Sequence, residues 1–207
     1  MGSANCTVVG QVYANNNGSW GSYGSSAPYA GANSTNKYTW MMQFTTPSFT
    51  GVCKKLTINL SAKIQSSYYT TINIRYALLS SDANRDSYKN KLGAIEDSNQ
   101  ISTGIYPTMN LTRAHQHFTL ELDLKTLTPD TTYYLILWGS SNGTSTNTLT
   151  NMNTAENHII VIHYDDGLLY IDDGTNLVSH QCYIDNGTGF DLYLPYVDTG
   201  TGWDQCL

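Results

Sequence analysis

The sequence predicts an all-β chain: an antiparallel, jelly-roll-like β-sandwich followed by a small meander of β-hairpin repeats. Three observations predict it. Apolar residues recur at every second position in several separate runs. Clusters of Gly, Pro, Asn and Asp punctuate those runs. The last forty residues repeat one hairpin signature with a period of 13.

The composition agrees. The 207 residues include 26 Thr, 19 Ser, 19 Asn and 16 Tyr, and only 13% are charged. Thr and Tyr suit strands with polar outer faces. Ten Lys and Arg stand against sixteen Asp and Glu, a net charge of −6. That balance excludes a sequence-independent nucleic-acid binder, which needs a basic surface to neutralise phosphates. No apolar run is long enough to span a bilayer as a helix. The aromatic content argues against intrinsic disorder.

Residues 1–37 form a Gly/Ser/Asn/Tyr-rich N-terminal segment in which neither helical nor strand period shows. No basic or apolar stretch of a secretory signal opens it. Met1-Gly2-Ser3 is compatible with a cloning scar, which leaves a removed signal open. The expectation is an irregular loop over the domain, after a strand at Cys6–Tyr13. Trp20, Tyr23 and Tyr29 are costly to leave in water. Packing onto the domain is the favoured reading, and an aromatic surface for stacking sugar rings is the alternative.

Residues 38–166 carry the sandwich. Strands are expected at Tyr38–Phe44, Lys55–Lys63, Tyr69–Leu79, Phe118–Leu124, Tyr133–Trp138 and His158–His163. In Lys55–Lys63, Leu56, Ile58 and Leu60 alternate with Thr57, Asn59 and Ser61, which marks a half-buried strand. Tyr133–Trp138 is continuously apolar, as a central strand covered on both faces would be. One helical turn is expected within Ser81–Lys91, capped by Asp82 or Ser80. Leu127-Thr128-Pro129-Asp130-Thr131-Thr132-Tyr133 predicts a corner between sheets. Pro129 fixes the bend, and the Tyr133 hydroxyl bonds back to the backbone.

Residues 167–207 carry the repeat Tyr-[Ile/Val]-Asp-x-Gly-Thr-x-[Leu/Phe/Trp]. Tyr170, Tyr183 and Tyr196 begin its copies. A two-residue turn at Asn186-Gly187 would set Tyr183 opposite Phe190. The same count pairs Tyr196 with Trp203 and Tyr170 with Leu177. Such pairs stabilise a hairpin by roughly 0.2–1 kcal/mol each. An isolated hairpin is marginal in water, so these must stack on something.

Catalytic signals are weak. The aspartates from Asp165 to Asp204 fall at turns or repeat flanks, where Asp is a good turn residue, so no catalytic residue is assigned. No cofactor is expected. Calcium is the one ion considered, because Asp-x-Gly-Thr offers hard oxygens, but one carboxylate per turn is a sparse ligand set. His115 and His117 share strand spacing for a metal pair but lack a third ligand nearby. Cys6, Cys53, Cys182 and Cys206 fit no metal spacing. Buried free thiols are favoured, and a disulfide stays open.

The repeat Tyr183-Ile184-Asp185-Asn186-Gly187, with its neighbours at Tyr170 and Tyr196, resembles the C-terminal tail of a group of virion proteins. These are encoded by phages and prophages of gut Firmicutes. In them a carbohydrate-binding-like β-sandwich precedes two or three such repeats. Phe44-Thr45-Thr46-Pro47-Ser48-Phe49, Leu56-x-Ile58-x-Leu60, Arg75-Tyr76-Ala77-Leu78 and Pro129–Leu135 continue the likeness. The third copy departs from it, with Thr199 where Asn is usual. The resemblance implies a tail, fibre or capsid-surface protein in the virion or outside the cell. It implies a homo-oligomer, a trimer being one option, bound to other virion proteins and adhering to host glycans. The alternative function is a carbohydrate-binding module of a secreted bacterial protein.

Overall fold

The computed structural model describes residues 2–21, 29–32, 37–64, 71–72, 74–106, 109–110, 114, 116–139, 150–152, 158–165, 168–172, 177–185, 190–193, 196–198 and 203–205. Beyond Asp165 it describes backbone pairing and not side chains.

Among the described residues thirteen strands run up to Asp165, eleven of which build the sandwich. The thirteen are β1 (Gly2–Asn5), β2 (Thr7–Asn15), β3 (Tyr29–Ala32), β4 (Lys37–Thr45), β5 (Val52–Ile64), β6 (Thr71–Ile72) and β7 (Ile74–Leu79), then β8 (Gln100–Ile105), β9 (Met109–Asn110), β10 (Gln116–Asp123), β11 (Thr132–Gly139), β12 (Thr150–Met152) and β13 (Ile159–Asp165). One sheet runs β1-β13-β5-β10, and the other runs β2-β4-β11-β7-β8, with every pairing antiparallel. β6 and β9 form a separate two-stranded ladder. β3 links the sheets: Tyr29 and Ala30 pair with β12, and Gly31 and Ala32 pair with β4. Gly31 makes that switch at φ 106°, a conformation L side chains rarely adopt.

The N-terminus departs from expectation. Gly2-Ser3-Ala4-Asn5 is an edge strand in register with β13, Gly2 opposite Tyr164 and Asn5 opposite Val161. Cys6 then carries the chain across to β2, on the edge of the second sheet. Much of residues 1–37 therefore belongs to the sandwich. β2 matches the strand expected at Cys6–Tyr13, whereas the small and polar residues of β1 give a hydrophobic-period search nothing to detect.

The main core lies between the sheets. Leu56, Ile58 and Leu60 of β5 face Trp40, Met42 and Phe44 of β4 and Leu135 and Leu137 of β11, all at or near zero exposure. The same strands have a second buried face. Met41, Ala77, Leu79, Ile136 and Trp138 point outward from the second sheet and are covered by residues 80–99, with Tyr88 at the centre. This explains the unbroken apolar run of β11: alternate residues feed two cores.

The cover is held by specific bonds. Tyr88 meets Trp138 edge-on at 5.0 Å between centroids. Trp138 Nε1 donates to the Gly93 carbonyl at 2.8 Å, and Thr39 Oγ1 donates to the Tyr88 carbonyl at 2.8 Å. The helical turn expected across Ser81–Lys91 shrinks to one 3₁₀ turn, Arg85–Tyr88. Its N-cap is Asn84, with no side-chain cap bond, rather than Asp82 or Ser80. Asn and Ser bond the backbone locally and do not propagate a helix.

Cys6 and Cys53 are free thiols, Cys53 buried and Cys6 half-buried. Burial pushes Cys6 up to about 12, with the nearby Cys53 adding to it. Burial also raises Cys53. The Cys182 and Cys206 side chains lie outside the described residues.

The C-terminal strands are β14 (Leu168–Asp172), β15 (Leu177–Asp185), β16 (Phe190–Tyr193), β17 (Tyr196–Asp198) and β18 (Trp203–Gln205). Their register corrects the expectation. Asp185 lies opposite Phe190 and Tyr183 opposite Leu192. Asp172 lies opposite Leu177, and Asp198 opposite Trp203. Each ladder is thus offset by two positions from the two-residue-turn reading. The pairs Tyr183–Phe190, Tyr196–Trp203 and Tyr170–Leu177 are not directly opposed. Four residues separate the strands in each copy, and the register is not the one a two-residue turn at Asn186-Gly187 would set. β15 serves both ladders end to end, residues 177–181 with β14 and residues 182–185 with β16.

Candidate functional site

Among the described residues, a surface groove forms where residues 15–21 meet the strap over the second core. Asn16 adopts φ 50°, its backbone N–H donates to the Lys37 carbonyl at 2.7 Å, and its Oδ1 accepts the Lys37 N–H at 2.9 Å. Tyr13 and Gly21 exchange backbone bonds of 3.1 and 3.0 Å. These bonds fix the loop that presents Trp20.

Trp20 lands on the 3₁₀ turn. Its Nε1 donates to Asp86 Oδ1 at 2.6 Å. The Arg85 guanidinium lies 5.6 Å and the Lys89 ammonium 5.8 Å from the ring centroid. Both distances are within reach of a cation–π attraction. Each cation also has a carboxylate at 3.0 Å: Arg85 pairs with Asp82, and Lys89 with Asp86. The Lys89 hydrogen bond, then the indole N–H, hold the Asp86 carboxyl below its ordinary value.

Around this cluster is an open groove of about 590 Å³, lined by Ser19, Trp20, Asp82, Ala83, Arg85, Asp86 and Lys89. A second, of about 280 Å³, lies across the turn, lined by Ala83, Asn84, Asp86, Ser87, Glu96 and Asp97. Ala83 and Asp86 belong to both. Asp97 is fixed there: Oδ1 accepts Asn84 Nδ2 and the Asn99 N–H, each at 2.9 Å, and Oδ2 accepts the Tyr88 hydroxyl at 3.2 Å. Burial raises the Tyr88 phenol to about 12, so it stays a donor.

Of the aromatic candidates, Trp20 is therefore a packed residue at a groove wall, its N–H already engaged. The side chains of Tyr23 and Tyr29 lie outside the described residues. So do those of the repeat residues Tyr170, Tyr183, Phe190, Tyr196 and Trp203. Sequence reasoning missed Asp82, Arg85, Asp86 and Lys89 as partners of Trp20. Separations of more than sixty residues leave no local signal for them.

The outer face of the first sheet differs. It presents His163, Lys55 and Asp123 in one row and Val161, Thr57 and Glu121 in the next. Lys55 pairs with Glu121 at 3.1 Å, and Thr57 Oγ1 lies 3.0 Å from His163 Nε2. Among the described residues this face carries no Trp or Tyr. Among the described residues the histidines do not converge: His158 is buried, its Nδ1 accepting the Ser61 N–H at 3.1 Å, while His117 is exposed on β10. His115 and the His180 side chain lie outside the described residues. Among the described residues no three His, Cys, Asp or Glu side chains are grouped to hold a metal ion. Among them, too, no helix is long and apolar enough to cross a membrane.

No family model matches the chain, and no curated protein matches it. Among solved structures it is similar to one described as "CBM4 structure and function", at 14% identity and a TM-score of 0.25. That match covers 76% of this chain and 73% of the other. A likeness at that level carries no argument about what this chain binds.

Proposed function

We propose that this chain is a non-catalytic adhesion module of a virion surface, whose sandwich binds glycan and whose repeats hold it in an oligomer. The observation that carries the adhesion reading is the Trp20 groove. It combines an aromatic wall with fixed carboxylates and cations, the mixture that sugar hydroxyls and ring faces use. It is open to solvent and built on a rigid double core, as a preformed site should be.

The repeats support the assembly reading. Their ladders hold five, four and three residue pairs. Among the described residues no strand beyond Asp165 pairs with either sandwich sheet. Two-stranded ladders of this length are marginal alone. Copies of the same chain, or other virion proteins, would supply the missing contacts. The likeness of the repeats to phage virion tails points the same way.

Two measurements test the reading. The purified chain on a glycan array should retain at least one class of surface glycan; retention of none overturns adhesion. Size-exclusion chromatography with light scattering should give an oligomer at micromolar concentration. A monomer with residues 168–205 ordered overturns assembly and leaves the secreted carbohydrate-binding module as the better description.

A further inference from the structure

We infer that the two grooves flanking the 3₁₀ turn form one continuous subsite that takes a neutral glycan and rejects acidic sugars. This rests on the adhesion reading above and adds the substrate class.

The two grooves share Ala83 and Asp86. Ala83 is exposed and small, so an extended chain can pass over it from the Trp20 side to the Asp97 side. The rim charges decide what kind of chain. Arg85 and Lys89 each sit 3.0 Å from a carboxylate and close to the Trp20 ring. Both cations are already compensated. On the far side Glu96 and Asp97 line the groove, and among the described residues no cation lines it with them. Four carboxylates against two cations leave the subsite net negative.

A hydroxyl both donates and accepts. It can donate to Asp82, Asp86 or Glu96 and accept from Arg85 or Lys89 without separating either ion pair. A uronate or sugar phosphate cannot. It must displace Asp82 or Asp86 from its cation and then lie beside Glu96 and Asp97. Like charges placed together disfavour the wrong ligand strongly.

The test is affinity electrophoresis of the full chain in gels carrying a neutral polysaccharide (a glucan, a galactomannan or a xylan) or an acidic one (polygalacturonate or alginate). At least one neutral polymer should retard the chain, and retardation should persist at about 0.5 M salt, where exposed charge attraction is screened. Neither acidic polymer should retard it. Ala83→Tyr places a bulky side chain on the ridge that the two grooves share and should abolish retardation. Glu96→Lys should admit the acidic polymers, raising their affinity about tenfold. Native folding of both variants is checked by their tryptophan indole N–H resonances. Wild-type retardation by an acidic polymer overturns the inference and leaves adhesion standing. So does neutral binding that survives Ala83→Tyr. Retardation by no polymer, together with an empty glycan array, overturns the adhesion reading itself.

Discussion

The phenol oxygen of Tyr133 accepts the backbone N–H of Thr128, five residues upstream, at 2.9 Å. This bond closes the corner where the chain leaves β10 and enters β11. Leu127 is buried beneath it, Asp130 takes φ 50° at the bend, and Thr46 locks the corner from the side. Thr46 Oγ1 donates to the Thr128 carbonyl at 2.7 Å and accepts the Thr131 N–H at 3.0 Å.

Tyr133→Phe keeps the ring against Phe44 and removes only the hydroxyl, with its bonds to the Thr128 N–H and to Thr128 Oγ1 at 3.2 Å. It should destabilise the chain by about 1–3 kcal/mol, because a part-buried N–H loses its partner. For a chain of this size that is a fall in Tm of roughly 2–4 °C per kcal/mol. Calorimetry of the single variant measures it. An unchanged Tm would mean that water serves Thr128 as well as the phenol does.

The two cores should respond differently to truncation. Tyr88→Ala removes the centre of the strap's contact with Trp138 and should cost about 3–5 kcal/mol. Hydrogen exchange should accelerate first in residues 80–99, while the β5–β10 ladder keeps its protection, because local units open below the global free energy. Uniform acceleration through both sheets would show that the two cores melt as one.

The Trp20 latch should depend on acid. Hydrogen bonds from Lys89 and the indole hold the Asp86 carboxyl below its ordinary value of 3.8. A carboxyl depressed in the folded state contributes stability above its unfolded value and loses it as pH falls through the folded one. The latch should therefore hold at neutral pH and release only below the ordinary carboxylate range. The Trp20 indole N–H resonance, assigned by its absence in Trp20→Phe, reports this. Movement of that resonance near pH 6 would point to a different group. Asp86→Asn should reduce the pH response.

The C-terminal register is open to a cross-linking test. In a Cys182→Ser, Cys206→Ser background, Tyr183→Cys with Leu192→Cys places two thiols directly opposite. Tyr183→Cys with Phe190→Cys places them two positions apart, where Cβ separations of roughly 7–8 Å exceed disulfide reach. Mild oxidation should cross-link the first pair and not the second. The reverse result would restore a two-residue turn at Asn186-Gly187.

The all-β class, the main strands of the sandwich and the corner at Tyr133 are legible in the order of the residues. These depend on local information: a period of two, a proline, and a tyrosine a few residues from its bonding partner. That order also marked β11 as covered on both faces, since alternation fails when both sides are apolar. What covers the second face is set by long-range packing. Residues 80–99 are polar in pattern, and their docking rests on Tyr88 reaching Trp138 fifty residues later. Only the structure placed Gly2–Asn5 in a sheet, because an edge strand needs a partner more than it needs a hydrophobic face. It moved the repeat register by two positions, because the length of a connection is set by the closure of the whole ladder, not by the dipeptide within it. And it brought Trp20 to Asp86, Arg85 and Lys89, a meeting that exists only because two distant loops cross the same sheet.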